Sequence, residues 1–81
     1  MLNLHHNHYV NLVKENKSLR QLLSASAKFK LPDEADWFVI EAVPWDQDVV
    51  LCYNEKTWDQ YTISLRDIDK ETVLLVGPAV I

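Results

Sequence analysis

Between residues 37 and 76 the apolar positions fall into four short runs parted by polar turns. The first, residues 37–43, is apolar on both sides: Trp37, Val39 and Val43 lie one way, Phe38, Ile40 and Ala42 the other, and only Glu41 interrupts. That pattern predicts a strand covered on both faces. The second run is VVLCY at 49–53. In the third, over 58–65, Tyr61, Ile63 and Leu65 alternate with Gln60, Thr62 and Ser64, so one face of that strand is expected to be wet. The fourth is TVLLV at 72–76. Pro44 with Asp46-Gln47-Asp48, the connection 54–57 and the charged stretch 66–71 separate the runs, and Gly77-Pro78 closes the series. Connections this short predict an antiparallel meander.

The first thirty residues carry a different period. They hold no Gly or Pro, are rich in Leu, Lys, Gln, Glu and Ala, and place Tyr9, Leu12, Val13, Leu19, Leu23 and Ala27 at spacings of three and four. Helix is the prediction, capped by Asn3 and stopped by Pro32. One continuous helix over 4–29 would be roughly 39 Å long, against a globule about 30 Å across. The competing reading breaks the chain at Ser18, where Ser18-Leu19-Arg20-Gln21 matches a capping box. The continuous helix is slightly favoured. The chain is thus read as a single α+β domain over residues 1–81: a helical region, 1–30, as one helix or two short ones, packed on a four-stranded antiparallel β-meander over 37–77.

Composition supports folding. By the usual scaling a chain of this mass exposes roughly 5,000 Å² of an extended 13,600 Å², which leaves a thin core. Of the 81 residues 48% are hydrophobic, with three Trp and three Tyr, too many for a disordered chain. Cys52 is the sole cysteine and sits in an apolar run, so it is expected to be a small buried hydrophobe without a disulfide. No leader pattern and no apolar run of bilayer-spanning length is seen, and a cytoplasmic location without membrane contact is expected.

The net charge of −4 is unevenly spread. Residues 1–30 carry Lys14, Lys17, Arg20, Lys28 and Lys30 against Glu15 alone, whereas residues 31–81 carry eleven carboxylates against Lys56, Arg66 and Lys70. Either the two parts attract each other within one fold, or a charged face meets a partner.

Candidate chemistry is sparse. His5, His6 and His8 are metal-ligand types, with His5 and His8 at helical spacing, but a site needs further ligands from elsewhere. Solvated histidines are the better reading, and no metal or other cofactor is expected. Asp67-Ile68-Asp69-Lys70-Glu71 opens like a calcium loop, then places Thr72 where the loop requires Gly and Pro78 where it requires Glu. The single Gly leaves no phosphate cradle, no nucleophile elbow or Cys-x-x-Cys is present, and Cys52 lacks a legible base. An enzyme is not expected. The basic N-terminal region supports a nucleic-acid contact through Lys14, Lys17, Arg20 and Lys28, against the overall acidity.

Trp45-Asp46 and Trp58-Asp59 are the most suggestive pairs, with Asp48 and Glu55 nearby. Either both indoles plug the rim of the core, or they anchor an interface whose carboxylates steer a basic partner. The leading reading is a non-catalytic protein-binding domain, an inhibitor or regulator that docks an acidic surface formed by Trp45, Asp46, Asp48, Glu55, Trp58 and Asp59 on a basic site, including that of a nucleic-acid-handling protein. In size, acidity and lack of a catalytic motif the chain resembles the small inhibitors encoded by phages, anti-CRISPR and DNA-mimic proteins among them; the likeness covers no motif and carries over no residue roles. The alternatives are a self-associating module, homodimeric through the long helix or the first strand, and the nucleic-acid binder.

Overall fold

The computed structural model describes residues 18–77. The expectations placed on residues 1–17, including His5, His6 and His8, lie outside the described residues. Ser18 has extended backbone (φ −75°, ψ 162°) and forms the reciprocal box: its Oγ accepts from the Gln21 amide at 3.2 Å, and Gln21 Oε1 accepts from the Ser18 amide at 2.9 Å. Helix α1, Leu19–Ser24, starts there. A helix running continuously over 4–29 is therefore not formed. Its far end is set by serine chemistry, because Ser26 Oγ donates to the Leu22 carbonyl at 2.7 Å and competes with the helical ladder.

Helix was expected through residue 29, yet Lys28–Lys30 is strand β1. The local Lys-Phe-Lys alternation places Phe29 inward with no exposed surface while both lysines stay half-exposed. Helix propensity yields because β1 pairs on both edges, Phe29 lying opposite Phe38 on one side and Leu75 on the other.

The remaining strands are β2 (Phe38–Ala42), β3 (Val49–Asn54), β4 (Gln60–Ser64) and β5 (Leu74–Val76). The sheet has five strands in the order β4-β3-β2-β1-β5, and every neighbouring pair is antiparallel. Two corrections to the four-stranded meander follow. β1 is an additional central strand, and β5 crosses back to lie beside β1 instead of continuing past β4. A 3₁₀ turn, Leu65–Asp67, redirects the chain; Ser64 Oγ accepts from the Arg66 amide at its start. The connection onward buries Ile68 and Val73.

β2 is not covered on both faces. Phe38 is buried and Val39 and Ile40 are half-buried, but Glu41 and Ala42 are exposed. The β2–β3 register shifts between Ile40 and Ala42, a bulge that turns the strand end outward. The core gathers Leu22 and Leu23 from α1, Phe29, Phe38, Val50, Cys52 and Leu75 from the sheet, and Ile68 and Val73 from the last connection. The Phe29 and Phe38 rings stack at 5.6 Å between centroids, and Tyr61 meets Phe38 edge-on at 5.5 Å. Cys52 is fully buried as expected, and desolvation pushes its thiol up to about 11. No helix among the described residues is long and apolar enough to cross a membrane.

Leu23 has no exposed surface. Leu23→Ala is expected to cost about 2–4 kcal/mol, since the cavity adds to the lost transfer energy; urea unfolding of parent and variant measures it.

Candidate functional site

The two tryptophan-bearing turns lie at opposite ends of β3. Trp45, Asp46 and Asp48 occupy the β2–β3 turn, whereas Glu55, Trp58 and Asp59 occupy the β3–β4 turn. A six-residue strand separates the groups, roughly 17–20 Å at the usual rise. They form two patches, not one contiguous surface.

Arg20 builds the first. From α1 its guanidinium donates to the Pro44 carbonyl and, at 2.7 Å, to the Gln47 carbonyl, and it lies 3.5 Å from Asp48 Oδ1. Arg66 approaches the other Asp48 oxygen at 3.6 Å, and the Asp48 carbonyl accepts from the Leu65 amide. A planar fork suits this task, because several acceptors are met by one rigid group. The turn is held from below, and Trp45 projects from it with 87% of its surface exposed. Beside it a shallow hollow of about 350 Å³ is lined by Ser18, Leu19, Arg20, Asp48, Leu65 and Arg66.

Asn54 builds the second. It is buried, and its Oδ1 accepts from the Lys56 and Thr57 amides at 2.8 and 3.2 Å while its Nδ2 donates to Asp36 at 3.0 Å. Lys56 adds an ion pair to Asp36 at 3.3 Å. The Asn54 bond and then Lys56 hold the Asp36 carboxyl below the usual carboxylate range. The turn closes with the Trp58 amide donating to the Asn54 carbonyl at 2.7 Å and the Asn54 amide donating to the Asp59 carbonyl at 2.9 Å. To close it Trp58 takes φ +63°, the left-handed region, which costs a residue with a Cβ roughly 1 kcal/mol. The residue is 63% exposed, and its ring lies 6.4 Å from that of Tyr53 between centroids. On the same side, Glu41 hydrogen-bonds the Tyr53 hydroxyl and raises its pKa.

Neither indole is a core plug. The charges divide similarly. Asp48 is met by Arg20 and Arg66, and Glu55 by Lys28 at 2.8 Å, with that ammonium also 5.5 Å from the Trp37 ring centre. Among the described residues Asp46 and Asp59 make no ion pair and stand exposed next to the two indoles. Arg20 and Lys28, two of the four basic residues read from the sequence as phosphate contacts, are engaged within the chain.

Asp69 is spent on its own backbone, Oδ1 accepting from the Glu71 amide and the carbonyl from the Thr72 and Val73 amides. Among the described residues no group of three His, Cys, Asp or Glu side chains is placed to hold a metal.

Sequence reasoning missed Arg20 as the organiser of the Trp45 turn, since nothing local signals a contact to residues 44–48. It also missed the Trp58 backbone, for which a signal exists. Hairpin loops of three to five residues usually need one residue at positive φ, and with the one Gly at position 77 another residue type had to take it. Comparison of the chain with protein-family models, curated proteins and solved structures yields no match.

Asn54→Ala leaves two amides and a carboxylate without their partner and is expected to cost about 1–3 kcal/mol in urea unfolding. Asp36, with its folded pKa depressed, stabilises the fold above its unfolded value of 3.8 and loses that contribution as pH falls through the lower folded value. The stability gap between the parent and Asp36→Asn should therefore be full at neutral pH and close in the acid limb of a pH titration.

Proposed function

We propose that this chain is a non-catalytic protein-binding domain, which inhibits or regulates a partner by presenting tryptophan flanked by carboxylate to a basic surface. The observation that carries the reading is Trp58: a strained backbone holds a large aromatic ring out in water, beside Asp59, which makes no ion pair among the described residues. The turn accounts for a left-handed residue at this position but not for a tryptophan, whose exposed ring supports a role outside the fold. Trp45 repeats the arrangement with Asp46 at the other end of β3. Tryptophan buries much area on binding for few frozen torsions, and a neighbouring carboxylate speeds encounter with lysine and arginine. A nucleic-acid-handling protein, whose binding site is already basic, suits such a surface.

Substitution of Trp58 separates the fold from the contact. Trp58→Gly removes the indole and relieves the left-handed strain, so stability is expected to stay within about 1 kcal/mol of the parent. Capture by the immobilised parent, with mass spectrometry, identifies the partner. Its retention should fall steeply as salt rises from about 50 to 200 mM and should be lost with both Trp58→Gly and Trp45→Ala. A partner retained equally by both folded variants refutes the reading.

A further inference from the structure

We infer that two copies of this chain join through the outer edge of β4, antiparallel about a two-fold axis at Thr62, to make one continuous sheet. The sheet has two edges, and they are guarded differently. β5 is three residues long, a common way of blunting an edge. β4 is five residues, Gln-Tyr-Thr-Ile-Ser, without a charge or a proline, and its register with β3 runs unbroken from Gln60 to Ser64. Among the described residues no strand pairs with its outer side.

The hydrogen-bond phase selects the partner. The Asn54 amide bonds the Asp59 carbonyl and the Leu65 amide bonds the Asp48 carbonyl. Given the pairing of Val50 with Ile63 and Cys52 with Tyr61, residues 61, 63 and 65 direct their amides and carbonyls towards β3. Gln60, Thr62 and Ser64 direct theirs away from it, to the edge. An antiparallel copy centred on Thr62 sets Thr62 opposite Thr62 and Gln60 opposite Ser64. All three outward residues of each chain then meet all three of the other, in phase.

The side chains agree with that register. Tyr61 falls opposite Ile63 of the other copy, an aromatic facing a β-branched residue, twice by symmetry. Tyr61 is 43% exposed at this edge in the single chain. Beyond the strand the signs are complementary: Asp59, unpaired among the described residues, meets the end carrying Arg66, whose guanidinium is largely exposed and holds Asp48 only at 3.6 Å. No like charges oppose each other along the strand. An arbitrary extended peptide satisfies the backbone equally but has no reason to match these side chains, so the second copy is the occupant assigned.

The test uses the full chain. Analytical ultracentrifugation across a concentration series should show the mass rising from one chain to two. Over the same series the amides of Gln60, Thr62 and Ser64 should pass from fast to slow hydrogen exchange. Thr62→Pro removes an outward amide without touching the β3 ladder, and Thr62→Lys sets two ammonium groups face to face at an exposed position. Each should weaken the dimer at least tenfold with the urea midpoint held. If a variant loses fold, the exchange of the three parent amides still decides. A parent that stays monomeric to about 1 mM, a dimer unaltered in both folded variants, or three amides indifferent to concentration each overturns the inference.

Discussion

Burial of the Phe29 ring is the interaction on which the rest of this fold depends. A strand of three residues has little claim to existence alone. β1 persists because its central side chain is wholly enclosed, stacked on Phe38 and opposed by Leu75. That one position ties β2 to β5 and so sets the strand order. It also places the floor on which Leu22 and Leu23 of α1 rest. With α1 seated there, Arg20 reaches the β2–β3 turn, and the exposure of Trp45 follows from packing two elements away.

Among the described residues part of the uneven charge along the chain is met inside the molecule. Arg20 with Asp48 and Lys28 with Glu55 join the basic early segment to the acidic later one. Partly exposed pairs like these contribute little energy each, but they decide which carboxylates remain available. Those left beside an indole are Asp46 and Asp59. The potential presented to a partner is thus set by subtraction, and a plain count of acidic residues overstates it.

Much of this was legible in the sequence. The strands over 38–42, 49–54 and 60–64 follow from apolar runs and turn residues, and the helix start at Ser18, the less favoured of the two readings, follows from a four-residue box whose bonds are all local. Cys52 was placed by its apolar neighbours. What was not legible is non-local. Lys28–Lys30 sits in a stretch with good helix formers and becomes strand only because two distant segments flank it. The return of β5 to β1 cannot be seen in the length of the connection that precedes it. At the site, the aromatic–acid pairs were readable as pairs, but their separation required knowing that both turns cap one strand. Asp48 and Glu55 looked free because their partners, Arg20 and Lys28, lie far away in sequence.

The central place of β1 bears on how the protein is made. Synthesis delivers α1, β1 and then the hairpins β2 to β4, all of which can pair as they emerge from the ribosome. One flank of β1 nevertheless stays vacant until residues 74–76 arrive. Before then β1 is the outer edge of a four-stranded sheet, with Phe29 beside it, and another strand can lodge there by mistake. The domain closes as a purse does, by its drawstring, and β5 is the strand that pulls it shut.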